Sequence, residues 1–250
     1  MGLVFADATT DNVNCTSDAD TDDIQEGTLC VQYTPVSVGN SAKVIVGKCN
    51  ATVTDGWAFF KTAADGTKLT FLWNRATADM VQTTVAGVAA AGVPLCVTVT
   101  WSISGDTAAI WASSAGGGRM TEVGTIIEAA GSGAIVSDAA NDFMIGNADA
   151  GASLAAPANI DNVAFFGAVL TQAQFESWHG CPRLVVDGIT AKKFIRCGSP
   201  SNQAGTQIDE GGNGDGVVTG ATVGAGFPRG FVARTGGMGR AGYRHSLLVS

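Results

Sequence analysis

Histidine and glutamate are scarce in this chain, with two His and five Glu among 250 residues. His179 and His245 are the only imidazoles, so a nucleophile with a histidine base has few ways to assemble. No two cysteines stand in C-x-x-C spacing, which together with the lack of His removes sequence support for a zinc site. Charged residues make up only 14%. No apolar run reaches the roughly eighteen residues of a membrane-spanning helix. The start, Met-Gly-Leu-Val-Phe-Ala-Asp, lacks the basic residues and apolar stretch of a secretory signal, and reads as a protein made and used without Sec export.

What the chain does have is 34 Gly, a hydrophobic fraction of 46% and many Ala, Val and Thr. Small and β-branched residues punctuated by Gly suit short strands and tight turns, so the class prior is all-β. The six cysteines (Cys15, Cys30, Cys49, Cys96, Cys181 and Cys197) allow disulfides by count, but their wide spread fits buried thiols better. Charge divides unevenly. Residues 1–180 carry 6 Lys and Arg against 18 Asp and Glu, whereas residues 181–250 carry 8 against 4. An acidic body argues against nucleic acid as its partner.

Period-2 alternation places strands at Gly27 to Tyr33, Ala42 to Cys49, Trp57 to Lys61, Lys68 to Trp73, Leu95 to Ile103, Ala108 to Trp111, Phe143 to Gly146 and Ile160 to Phe166. In Leu95 to Ile103, residues Val97, Val99, Trp101 and Ile103 share one face. Cys96, Thr98, Thr100 and Ser102 take a second face that is expected to be lightly covered or wet. In the Ala42 strand the same alternation puts Val44, Val46 and Lys48 on one face and Ile45 on the other. Asp65-Gly66 and Gly105-Asp106 supply hairpin turns. Thr171 and Gln174 have capping-box spacing, Leu170 and Phe175 that of a hydrophobic staple. These predict one short helix from Gln172 to His179. Beyond residue 181 only Leu184 to Val186 and Lys193 to Ile195 read as short strands, and residues 198–250 show little periodicity. Such a segment is expected to be an extension, flexible or ordered by a partner.

Three stretches resemble the laminin-G/concanavalin-A-like superfamily. Val46-Gly-Lys-Cys with Asp55-Gly-Trp-Ala-Phe-Phe is similar to its paired central strands, and Val97-Thr-Val-Thr-Trp with Gly105-Asp-Thr-Ala-Ala-Ile-Trp to a strand–turn–strand hairpin. Asn159-Ile-Asp-Asn-Val-Ala-Phe-Phe-Gly-Ala-Val-Leu-Thr-Gln-Ala-Gln-Phe resembles the closing I-D-x-V strand and capped helix. The resemblance covers residues 1–180. It implies a two-sheet antiparallel jelly-roll sandwich there; it does not reach residues 181–250, whose Gly content and basic charge read as a C-terminal arm.

The superfamily includes glycoside hydrolases, which place two carboxylates on one strand face. None of Glu26, Glu122, Glu128, Glu176 and Glu210 lies in such a strand, so no catalytic residue is expected. The resemblance also implies a calcium role for Asp161. The alternative is that its carboxylate accepts backbone hydrogen bonds and pins the closing strand. The run Asp18-Ala-Asp20-Thr-Asp22-Asp23 echoes the start of an EF-hand loop but lacks the central Gly and final Glu, and reads as a solvated acidic loop. The five Trp all fall in core patterns, so no glycan platform is located. In the arm, Phe227, Arg229, Phe231, Arg234, Arg240, Tyr243 and Arg244 interleave cations with aromatic anchors, a pattern that can order on RNA and that in an acidic protein suits docking on an acidic neighbouring subunit at least as well.

The functional expectation is a non-catalytic structural protein of a virus particle, a phage capsid decoration or head-surface protein that touches host glycans. Partners would be other virion subunits or further copies of the chain, and the location the virion surface. A secreted, extracellular carbohydrate-binding module is the alternative, and a glycoside hydrolase comes third.

Overall fold

In a computed structural model the chain forms an antiparallel β-sandwich. The structure describes residues 2–6, 11–39, 41–63, 65–113, 119–124, 126–148, 154–197, 206–207, 209–210 and 215–224. In chain order the strands begin with β1 (Gly2–Phe5), β2 (Asn12–Cys15), β3 (Glu26–Pro35), β4 (Lys43–Lys48), β5 (Trp57–Lys61) and β6 (Leu69–Trp73). They continue with β7 (Ala78–Thr83), β8 (Leu95–Ser102), β9 (Thr107–Ser113), β10 (Met120–Glu122), β11 (Ile126–Ser132), β12 (Phe143–Ile145) and β13 (Ala158–Phe166). After helix α1 (Gln172–Gly180) come β14 (Val185–Val186), β15 (Ile189–Thr190), β16 (Lys193–Arg196), β17 (Thr206–Gln207), β18 (Gly216–Thr219) and β19 (Thr222–Gly224).

The first sheet runs β10-β9-β8-β3-β13-β1-β19, with β16 also paired to β13. The second runs β11-β7-β6-β5-β4-β12-β2-β18-β17. Alternation decides which side chains meet between them. Leu69, Phe71 and Trp73 point inward from β6, and Val97, Val99 and Trp101 from β8, all nearly or fully buried. At the centre the indoles and phenyl rings stack across the gap. Phe71 of the second sheet lies 5.2 Å from Trp101 of the first, which lies 5.7 Å from Phe165 within its own sheet. Gly27, opposite Trp101 in register, makes room for that indole, since a Cβ there would come within 2.6 Å of the ring.

The outer face of the first sheet is not wet. Cys30, Cys96, Ala164 and Phe166 are buried beneath Phe175 and Trp178 of α1 and beneath Phe194. The expectation fails here because the chain after β13 folds back over this face and turns a half-polar surface into a second small core. The helix begins as its spacing predicts, with the Gln174 side chain accepting the Thr171 backbone N–H at 2.9 Å and Leu170 buried beside Phe175. Among the described residues no helix is long and apolar enough to cross a membrane.

Two further sequence expectations need revision. In β4 the pairing register slips between Val44 and Val46, and Ile45 and Val46 both face the core while Val44 turns outward. One residue inserted at a bulge breaks the alternation that placed Val44 with Val46. The second concerns the expected boundary near residue 180. β16 pairs with β13, β18 with β2 and β19 with β1, so the described residues up to 224 complete both sheets. Pairing at a sheet edge needs backbone donors and acceptors rather than side-chain periodicity, which is why these short strands left little trace.

Candidate functional site

His179, Glu176 and Glu210 are held in structural contacts. His179 is buried, its Nε2 2.9 Å from the Thr98 hydroxyl, and burial pushes its pKa down to about 3. Glu176 accepts the Met120 backbone N–H at 3.0 Å and the Gln172 amide at 2.9 Å. Glu210 pairs with Arg196. Glu26 and Glu122 are exposed on separate strands.

The acidic run is only partly solvated, because two of its carboxylates are engaged with buried lysines. Asp22 and Asp138 both contact Lys48 Nζ, at 2.7 and 3.1 Å, and the Lys48 side chain is fully buried. Asp18 contacts the equally buried Lys193 Nζ at 2.8 Å, and Asp209 approaches it at 3.5 Å. Asp23 accepts the Asp138 N–H and the Ser137 hydroxyl. One loop thus clamps a lysine at the end of β4 in the second sheet and another on β16 in the first. Sequence reading missed this because each lysine lies far from the run in the chain. Burial is the main force pushing the Asp138 pKa up from the usual carboxylate range, with Lys48 opposing it.

Among the described residues no group of three or more His, Cys, Asp or Glu has metal-holding geometry. Asp161 is half-buried on β13, where the register with β3 shifts between Ile160 and Val163. Its charge is felt by the neighbouring Cys197 thiol, whose pKa burial first, and Asp161 second, push up. None of the six cysteines is in a disulfide, and only Cys181 is exposed. Phe227, Arg229, Phe231, Arg234, Arg240, Tyr243 and Arg244 lie outside the described residues.

A built hollow does exist on the outer face of the second sheet, about 320 Å³ in volume. Its floor is Val44, Phe60 and Leu72, from the adjacent strands β4, β5 and β6. Val44 is available only because the bulge turns it outward. Thr52 and Val53 form one wall, and Ala42 and Leu154 complete the lining. The wall is strained: Val53 sits at φ +55°, a region that β-branched residues rarely adopt. The surrounding turn enforces it. Asn50 Oδ1 accepts the N–H groups of Thr52 and Thr54, and Asn50 O accepts the Val53 N–H. Asp55 in turn accepts the Asn50 N–H at 2.8 Å and the Asn141 amide at 3.0 Å. Hydroxyls of Thr52 and Thr54 and the Asn50 amide form a linked polar rim beside the apolar floor. None of this was legible in the sequence, whose only hint was the Asn, Thr and Asp content of residues 50–55.

The tryptophans offer no second surface. Trp57, Trp73, Trp101 and Trp178 are buried, and half-buried Trp111 packs on Phe175 with ring centroids 5.4 Å apart.

No protein-family model matches the chain, and no curated protein matches it in sequence. Solved structures do match. A Bacteroides ovatus protein provisionally described as carbohydrate binding superposes with a TM-score of 0.59 at 11% identity, over 88% of this chain. The heptameric SAP-like pentraxin of Limulus polyphemus superposes with a TM-score of 0.51 at 12% identity, over 76% of this chain and 94% of its own. The fold is a concanavalin-A-like, laminin-G-like sandwich. Domains LG4-5 of the mouse laminin alpha1 chain also superpose, with a TM-score of 0.46, 10% identity and coverage of 76% of this chain and 46% of theirs. This chain spans 58% of the length of the Bacteroides protein. At such identities the likeness concerns the fold alone.

Proposed function

We propose that this chain is a non-catalytic carbohydrate-binding sandwich whose ligand enters the hollow floored by Phe60. The observation that carries the reading is the strained Val53 turn. Backbone strain of roughly 1–3 kcal/mol persists where the surroundings over-determine it, and such sites cluster at ligand clamps. A ring with apolar floor and polar rim suits a pyranose, which offers C–H groups on one face and hydroxyls at its edge. The Bacteroides ovatus neighbour, provisionally described as carbohydrate binding, supports that ligand class. The engagement of Glu176, Glu210 and His179 in structural contacts supports a role without hydrolysis. A glycan array with the intact protein and with Phe60→Ala tests this. Glycans bound by the first and lost by the second are expected, with no release of reducing sugar. An array that stays blank, or that is unchanged by the substitution, rejects the reading.

A second reading places the domain on a virus particle, as a capsid decoration or head-surface protein. Its support is the charge pattern. Residues 225–250 contain four Arg and no Asp or Glu, while the chain as a whole is at −8. An arm of that composition is attracted to an acidic neighbour, at under about 1 kcal/mol for each exposed Arg. Replacing Arg229, Arg234, Arg240 and Arg244 together by Ser should weaken incorporation into particles or oligomers, measured by sedimentation. Unchanged assembly rejects it.

A further inference from the structure

Lys48 is a charged side chain with no exposed surface, enclosed between two carboxyl groups of different character. Asp22 Oδ1 lies 2.7 Å from Nζ and keeps 22% of its side chain exposed. Asp138 Oδ1 lies 3.1 Å away with its side chain 2% exposed, and the same oxygen accepts the Asp23 backbone N–H at 2.8 Å. Nζ is further fixed by the Asp138 backbone oxygen at 2.7 Å and by the Ser17 hydroxyl at 3.4 Å. An amine nitrogen, a carboxyl carbon, an exposed proton acceptor and a backbone donor on the carbonyl oxygen are therefore collected in one dry site.

We infer that Lys48 Nζ condenses with the Asp138 side-chain carboxyl to form an intramolecular isopeptide bond, with Asp22 moving the protons. The Lys48 ammonium gives one proton to the Asp22 carboxylate and becomes a nucleophilic amine. Its lone pair attacks Cγ of the neutral Asp138 carboxyl, and the Nζ–Cγ bond forms. Negative charge develops on Oδ1, where the Asp23 N–H already points. Asp22 then passes its proton to the second Asp138 oxygen while taking one from the nitrogen. The Cγ–O bond breaks and one water leaves. Asp22 ends protonated and, being partly exposed, returns its proton to solvent. No oxidant or cofactor takes part. Burial favours the neutral Asp138 that the attack requires. Fixed proximity replaces the encounter that makes amide formation slow in solution.

The product would join the end of β4 to the loop before β12 by a bond that unfolding does not break. The Lys193 site is the internal comparison. Asp18 sits at 2.8 Å there, but the second carboxylate, Asp209, stands off at 3.5 Å. The experiment is intact-mass measurement of the purified full chain under denaturing conditions, followed by peptide mapping. A mass lower than the sequence by one water is expected, with a branched peptide joining the segments of Lys48 and Asp138. Lys193 should be recovered in a linear peptide. Asp22→Asn and Lys48→Arg should both restore the full mass. A wild-type protein at full mass after prolonged incubation overturns the proposal, and needs no variant to fold. So does a lost water that maps to a succinimide at Asp55-Gly56, Asp65-Gly66, Asp187-Gly188 or Asp215-Gly216, because that product carries no branch.

Discussion

Trp57 of one sheet lies stacked on Phe165 of the other, with ring centroids 5.7 Å apart and planes 13° from parallel. Both are fully buried, and both also touch Trp101 and Phe143. Phe165→Ala should therefore destabilise the sandwich by about 3–5 kcal/mol, because the surrounding rigid rings cannot collapse into the space. Urea denaturation followed by tryptophan fluorescence measures this. A loss below about 1 kcal/mol would mean that the two sheets are not held by this stack.

The second clamp lysine gives a test of the acidic loop. Lys193→Met removes the cation facing Asp18 and the fully buried Asp209. Leaving a buried carboxylate without its counter-ion costs about 3–5 kcal/mol. The expected result is a lower denaturation midpoint at pH 7, partly recovered when Asp209→Asn is added to Lys193→Met. Additive losses in the double variant would show that the two groups do not act as a pair.

His179 sets a pH dependence whose sign follows from its environment. Its folded pKa is held down at about 3 by burial, against 6.5 in an unfolded chain. The unfolded state therefore takes up the proton first as pH falls. The contribution to stability is intact above 6.5 and declines as pH drops towards 3. Between pH 7 and 5 the wild type should lose about 2 kcal/mol more than His179→Gln. Parallel pH profiles for the two proteins would show that His179 titrates alike in both states.

Val53 supplies a test that separates stability from binding. Val53→Gly relieves the φ of +55°, and should raise stability by about 1 kcal/mol or less while weakening glycan affinity. Calorimetric unfolding and glycan titration on the same preparation read the two effects. A variant that binds as well as the wild type would detach the strained turn from ligand binding.

The sequence was most informative where one side chain in two is committed to the core. β8 and the I-D-x-V strand with its capped helix were legible because each satisfies several rules at once, such as Val97-Val99-Trp101 alternation and Thr171–Gln174 spacing. β1, β2, β7, β10 and β11 were missed. Gly2–Phe5 and Asn12–Cys15 are four residues each, too short for alternation to stand out. The hollow was invisible for a different reason: it depends on a bulge at β4 and a left-handed valine, and neither has a local signature. The clamp failed to appear because its partners are distant. Lys48 and Asp138 are brought together only when the second sheet has formed.

The placement of β1 has a consequence for the order of folding. Leu3 sits opposite Ile160 on one side and Val223 on the other, so the first strand is enclosed by two of the later ones. Long-range pairing of this kind delays closure, since the loop entropy is lost before any contact repays it. On the ribosome β1 must wait for these partners until β13 has emerged, and its outer edge stays open until β19 follows. Until then residues 2–5 are an apolar segment without a sheet, the interval in which association with a chaperone or with another nascent chain competes with folding.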